Sequence, residues 1–258
     1  MNNRLIELFK NKNKDLLSVY FTAGYPQLDD TLTIAKALEK AGADFLEIGF
    51  PYSDPVADGP TIQNSSQTAL LNGMSLKVLF EQLKELRKQV SIPVILMGYV
   101  NPVLQYGVEK FCADAASVGV DGVIVPDLPM YEYEELYKDV FEKYNLSNIF
   151  LITPQSSDER IRKIDHLTEG FIYALSSSST TGKQLALEDA QTDAYFKRLK
   201  ELKLKNPLMI GFGINDKHSF QKACSAASGA IIGSAFVKTL DKVVNATQID
   251  SFIASIKQ

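Results

Sequence analysis

The sequence predicts an α/β fold in which eight strand–helix units close into a (β/α)8 barrel, with one extra helix at the N-terminus. Three observations carry that expectation. Strand-like and helix-like hydrophobic patterns alternate from one end of the 258 residues to the other. The strand-like runs are rich in Val, Ile and Leu, as expected where both faces of a sheet are covered. The length fits eight such units in a single domain over residues 1–258, without a linker or break in composition. The competing open, doubly wound sheet calls for a glycine-rich fingerprint after its first strand, and Gly24-Tyr25-Pro26 is not one. A TIM barrel is therefore the expected architecture.

The elements follow in order. Met1–Phe9 reads as a short amphipathic helix. Leu16–Ala23 is strand-like and leads to a helix over about Asp29–Ala41. Asp44–Gly49 is the second strand, and a long loop separates it from a helix over about Ser75–Gln89. Pro93–Gly98 leads to a helix over Val108–Val118, and Asp121–Val125 to one over Tyr131–Tyr144. Asn148–Thr153 leads to Asp158–Leu167, with Ser157-Asp158 as the N-cap. Gly170–Leu175 leads through a Ser/Thr-rich stretch to a helix over about Glu188–Leu202. Leu208–Gly211 leads to Asp216–Ala226, and Gly229–Ile232 to Ser234 and a last helix near Ile249–Lys257.

Composition narrows the function classes. Apolar residues make up 45% of the chain, enough for a sizeable core. With 22% charged residues and a net charge of -4, no basic surface for nucleic acid is expected. Cys112 and Cys224 fall inside separate helical patterns, where they read as small core fillers of a reduced, cytoplasmic protein. There is no secretory leader pattern, and no apolar run of membrane-spanning length.

The most informative stretch is Phe45-Leu46-Glu47-Ile48-Gly49-Phe50-Pro51-Tyr52-Ser53-Asp54-Pro55-Val56-Ala57-Asp58-Gly59-Pro60. Strand alternation puts Leu46, Ile48 and Phe50 on one uniformly apolar face, suited to packing under helices. Phe45, Glu47 and Gly49 then face inward. A carboxyl aimed into a packed interior has its charged form disfavoured, so it can exchange a proton near neutral pH. The plainer alternative is that Glu47 caps a helix or pairs with a cation. Asp54 and Asp58, in the Pro/Gly-rich loop just beyond, weigh against it.

Barrel enzymes work at the carboxyl ends of their strands, and the loops there are polar, Gly-rich or Pro-rich. They include Gly98-Tyr99-Val100-Asn101-Pro102, Pro126-Asp127-Leu128-Pro129 and Ser176–Lys183. Gly211-Phe212-Gly213 and Gly233-Ser234 close the last two strands, where many barrels bind phosphate through free N–H groups. Gly182 adds another N–H. Taken singly these are ordinary loop glycines; their position as a pair favours phosphate. Gly211–Gly213 fails as a dinucleotide motif, because Asp216 stands where the third Gly belongs.

Other chemistries lack their residues. No HExxH, CxxC or clustered His/Cys/Asp set is present, so no metal is expected. His166 and His218 fall in helices, and no His stands at a strand end to serve a triad. No Lys lies inside a strand for a Schiff base. What remains is carboxylate acid–base work on a phosphorylated substrate. Tyr173, Phe212, Ile62 and Leu96 suggest a flat, apolar portion of that substrate, or else simply core.

The run Glu47–Gln63 resembles the signature of the tryptophan synthase alpha chain family. Val125-Pro126-Asp127-Leu128-Pro129, Gly211-Phe212-Gly213-Ile214 and Gly233-Ser234 are similar to that family in order and spacing, and the resemblance runs from about Leu5 to the C-terminus. It implies a carbon–oxygen lyase subunit that splits indole-3-glycerol phosphate into indole and glyceraldehyde 3-phosphate. It implies no cofactor in this chain. Its implied partner is a pyridoxal-phosphate-dependent beta chain, in an alpha2–beta2 heterotetramer. The catalytic pair of the family falls on Glu47 and Asp58. Its substrate contacts fall on Tyr20, Tyr173, Thr181, Gly182, Phe212, Gly213, Gly233 and Ser234, with Ile62, Leu96 and Gly211 beside them. Pro51, Asp54, Asn101, Asp127 and Pro129 match positions that face the partner or relay its signal. Two alternatives stay open on the residues: another phosphate-binding barrel isomerase or synthase, which would want a Lys or Cys acid at a strand end, and a non-catalytic subunit, against which the presence of both acids argues.

Overall fold

The computed structural model describes residues 3–176, 190–211, 213–240 and 244–257. Nine strand segments form one parallel sheet: β1 (Leu16–Thr22), β2 (Phe45–Gly49), β3 (Val94–Met97), β4 (Gly122–Ile124), β5 (Ser147–Asn148), β6 (Leu151–Ile152), β7 (Ile172–Leu175), β8 (Leu208–Gly211) and β9 (Gly229–Ile232). Their order is β5-β4-β3-β2-β1-β9-β8-β7-β6. The two edge segments are consecutive in the chain. Between them Ile149 N–H donates to Val123 on one side, and the Phe150 carbonyl accepts from Tyr173 on the other. The fifth stave thus changes hydrogen-bonding side midway, and the sheet closes into the expected eight-staved barrel.

Fourteen α-helical segments surround it among the described residues: α1 (Arg4–Asn11), α2 (Thr31–Ala41), α3 (Pro60–Leu71), α4 (Leu76–Leu83), α5 (Leu86–Gln89), α6 (Val100–Tyr106), α7 (Val108–Ser117), α8 (Met130–Glu132), α9 (Lys138–Lys143), α10 (Asp158–Leu167), α11 (Ala190–Glu201), α12 (Lys217–Ala226), α13 (Ser234–Val237) and α14 (Ala246–Lys257). A π-helical turn, Tyr133–Tyr137, joins α8 to α9. Caps start several helices as the sequence suggests. Ser157 accepts from the Arg160 N–H at α10, and Asp216 and Ser219 form a reciprocal capping box at α12.

Strand alternation divides the apolar residues into two cores. The outward set, including Leu17, Val19, Phe21, Leu46, Ile48, Val94, Leu96 and Ile232, packs under the helices. The inward set, including Leu16, Phe45, Ile95, Ile124, Tyr173, Met209 and Ile231, fills the barrel. Leu5 and Phe9 of α1 belong to the inward set, so the extra helix plugs the amino-terminal end of the barrel. Phe9, Phe45 and Phe171 form a ring cluster there, with centroids 5.4–6.1 Å apart. Buried Asp121 takes ion pairs from Arg4 at 3.0 Å and Arg87 at 2.6 Å at the same end.

Two helices stand where loop was expected. α3 buries Ile62, Ser65, Ser66 and Ala69, a helical spacing half carried by serines and therefore invisible as hydrophobic periodicity. Pro60 at its first position suits a helix start. α6 begins beyond Gly98 and carries Pro102 in its first turn, where proline is tolerated.

Candidate active site

The carboxyl ends of the strands surround a cavity of about 450 Å³. Tyr20, Phe50, Tyr52, Asp58, Ile62, Met97, Tyr99, Thr153, Arg160 and Leu175 are among its lining residues. Tyr20 comes from β1 and lies level with Glu47 of β2, as Thr22 does with Gly49. Close packing sets this layer. A Cβ on Gly49 would lie 2.1 Å from the Tyr20 hydroxyl, and one on Gly211 would lie 2.2 Å from that of Tyr173. Both glycines leave room for a phenol ring from the neighbouring strand.

Glu47 is completely buried on the inward face, as the alternation predicts. Its Oε1 accepts from the Ser18 hydroxyl at 3.1 Å, while Oε2 has no partner among the described residues. Burial pushes its carboxyl up to about 8, and the Ser18 bond lowers it only partly. Near neutral pH Glu47 therefore holds a proton it can exchange.

Asp58 sits in the loop ahead of α3. Its Oδ2 accepts from the Tyr99 hydroxyl at 3.1 Å, and Gln63 Nε2 holds its backbone carbonyl at 2.9 Å. Burial raises its carboxyl and the Tyr99 bond lowers it. Tyr20 and Tyr173 are held in the phenol form, first by burial and then by both carboxylates. The two acids thus share one surround of three phenols, Tyr20, Tyr99 and Tyr173.

The expected site residues sort by position. Tyr20, Asp58 and Ile62 line the cavity, Tyr173 belongs to the inward core, and Glu47 is buried level with Tyr20. Gly233 stands against Tyr20, and Gly213 against the Ser176 hydroxyl. Ser234 opens α13, the short helix expected after the last strand. Thr181, Gly182 and Phe212 lie outside the described residues. Leu96 is a correction: it points outward into the helix-facing core, and Met97, one residue on, takes the cavity wall. A one-residue shift along a strand exchanges faces.

Of the partner-facing set, Asp54, Asp127 and Pro129 are exposed on strand-end loops, and Asn101 is exposed in the first turn of α6. Pro51, the fifth of that set, is buried. Asp127 Oδ1 accepts from Val100 N–H at 2.9 Å, and Asn101 donates to the Tyr52 hydroxyl at 3.3 Å.

Sequence reading missed Ser18, Tyr52, Met97, Tyr99 and Arg160. Ser18 and Met97 could have been found by extending the inward alternation of β1 and β3. Tyr99 gave no periodic signal, because it lies beyond the strand in the turn to α6. Among the described residues no group of three His, Cys, Asp or Glu could hold a metal ion, and no helix is long and apolar enough to cross a membrane.

A closed βα barrel with a cavity at the carboxyl ends of its strands defines the class of α/β-barrel proteins. Known proteins narrow the class. The family model described as tryptophan synthase alpha chain matches residues 6–257. The tryptophan synthase alpha chain of Flavobacterium psychrophilum is 56% identical over 245 residues, covering 95% of this chain and 96% of that one. The alpha chain of Parabacteroides distasonis is 51% identical and covers 99% of this chain and all of its own length. Among solved structures, the alpha subunit of Legionella pneumophila superposes with a TM-score of 0.88 at 33% identity, covering 100% of this chain and 98% of that one. A chain of tryptophan synthase from M. tuberculosis in its aminoacrylate-bound form gives 0.86 at 28%, covering 99% and 98%. The chain belongs to the tryptophan synthase alpha chain family, the subunit of a lyase.

Proposed function

We propose that this chain cleaves indole-3-glycerol phosphate to indole and glyceraldehyde 3-phosphate by a retro-aldol reaction, with Glu47 and Asp58 as its catalytic groups. The observation that carries the reading is the buried Glu47, its Oε2 without a partner among the described residues, level with Tyr20, which lines the same cavity as Asp58.

Indole is a poor leaving group as a carbanion. A proton placed on its C3 makes a cationic indolenine. Breaking the carbon–carbon bond then returns the electron pair to the ring, while the side-chain hydroxyl loses its proton and becomes the aldehyde. Glu47 passes that proton, which its raised pKa allows. Asp58, whose charged form the Tyr99 bond favours against burial, accepts the ring N–H and balances the indolenine charge. Ile62 and Met97 supply apolar walls for the ring. The phosphate is read by the Gly211-Phe212-Gly213 and Gly233-Ser234 loops, together with the Gly182 N–H, so that remote binding energy orients the reacting bond. No cofactor takes part in this chain.

The partner is the tryptophan synthase beta chain, which carries pyridoxal phosphate and joins the released indole to serine, in an alpha2–beta2 assembly. Asp54, Asn101, Asp127 and Pro129 form the surface it meets. Docking there biases the acidic loop toward its working position. Steady-state release of indole from indole-3-glycerol phosphate, measured for the chain alone and with saturating beta chain, tests both statements. Slow cleavage that accelerates on adding the partner is expected. No cleavage in either condition defeats the catalytic reading, and equal rates defeat the coupling.

A further inference from the structure

The hydroxyl of Tyr99 makes two hydrogen bonds at once. It accepts from Ala57 N–H at 3.0 Å and donates to Asp58 Oδ2 at 3.1 Å. Among the described residues no donor reaches Asp58 Oδ1. Two consecutive residues of the acidic loop are therefore fixed by one phenol from a different loop, and Oδ1 takes no bond from the described residues. The phenol is itself held in place. Its ring packs against Tyr52, centroids 5.2 Å apart. The Tyr52 backbone is clamped on both sides by Ser66 of α3, at 3.0 Å each. The residue after Tyr99, Val100, is tied to Asp127, and the Tyr52 hydroxyl to Asn101.

We propose that Tyr99 is a positioning residue for Asp58, fixing which carboxylate oxygen meets the substrate and carrying the placement of the Asn101 and Asp127 loops to the acidic loop. This rests on the reading of Asp58 given above. The ring fixes the place, and the hydroxyl fixes the direction. Oδ2 is occupied by Tyr99, so Oδ1 is the oxygen offered to a ring N–H. Because the Ala57 N–H shares the same hydroxyl, a shift of Tyr99 moves the loop and the carboxylate together. The ionisable groups that interact with Asp58 are Tyr20 from β1, Tyr99 from the β3 loop and Tyr173 from β7; Glu47 acts on Tyr20 and Tyr173, Asp127 on Tyr99, and Arg160 lines the same cavity. Of these, Tyr99 is the one that donates to it.

The test is Tyr99→Phe, which keeps the stacked ring and removes the hydroxyl. In the free chain, a 13C NMR titration of the Asp58 carboxyl is expected to move to higher pH, since the bond that favours its charged form is lost. That readout needs no turnover and stands even if the proposed reaction fails. In cleavage assays kcat is expected to fall about tenfold to a hundredfold with KM changed less than about threefold, and the acid limb of the pH profile should move up. In an Asp58→Asn background the same substitution should cost almost nothing further, because the two act as a unit. An unmoved Asp58 titration overturns the proposal. So does a Tyr99→Phe loss that multiplies in full onto Asp58→Asn. If Asp58→Asn alone cleaves at the normal rate, it is the role of Asp58 that fails, and the NMR titration still decides whether Tyr99 holds it.

Discussion

Glu47 shows how much chemistry one register position can set. It lies on the inward face of a five-residue strand whose other inward members are Phe45 and Gly49. Placed there, a carboxyl loses its water and keeps its proton. Glu47→Gln is expected to lower cleavage at least about a hundredfold while leaving phosphate-ligand binding nearly intact. Turnover within tenfold of the parent chain would remove Glu47 from the mechanism. The same burial predicts a pH dependence of stability. The carboxyl titrates near 4.5 when unfolded and near 8 when folded. Below the lower value both states are protonated. Between the two, the folded state holds the proton more tightly than the unfolded one, so stability falls as pH rises through that window. Glu47→Gln removes this liability. Its melting temperature relative to the parent chain should be higher at pH 8 than at pH 5, and an offset independent of pH would show that Glu47 is not buried as an acid.

At the scale of elements, the strand ends are built around glycines that admit phenols from their neighbours. Gly49 leaves no room for a Cβ beside Tyr20. Gly49→Ala should cost roughly 1–3 kcal/mol, as overpacking does, and should move the Tyr20 ring in the cavity. In a Tyr20→Ala background that cost should shrink, because the clashing ring is gone. Urea denaturation of the four proteins of this cycle measures it, and an undiminished cost would place the constraint in the strand instead. Capping works at the same scale. Asp216 accepts from Ser219 N–H at 2.8 Å, so Asp216→Ala should cost about 1 kcal/mol by the same measurement, without effect on the far side of the barrel.

For the whole molecule, stability and chemistry occupy opposite ends of the barrel. The amino-terminal end is closed by α1, through Leu5, Phe9 and the paired Arg4 and Asp121. The carboxyl end holds the cavity and both acids. Phe9→Ala should cost about 3 kcal/mol, because it opens a cavity among three rings that cannot collapse around it. Cleavage per folded molecule should be unchanged, since no group at that end reaches the acids. A destabilised variant with altered kcat would mean that the two ends are coupled through the inward core.

The sequence by itself determined the barrel, the inward position of Glu47 and the loops that hold the acids and the glycines. Each is encoded locally: strand alternation chooses a face, Pro and Gly punctuate a loop, and eight repeated units leave one economical closure. α3 was hidden because Ser65 and Ser66 occupy buried positions that a hydrophobic pattern expects to be apolar. Leu96 was misplaced because a four-residue strand gives too short an alternation to fix its face against Met97. Only the tertiary structure decided that Pro51 is buried, that the phenols of Tyr20 and Tyr173 lean over the neighbouring strand into space left by Gly49 and Gly211, and that Tyr99 grips Asp58. Those contacts join residues from separate loops and strands. Their energies depend on distances set by barrel closure, and nothing in the local order of the chain specifies them.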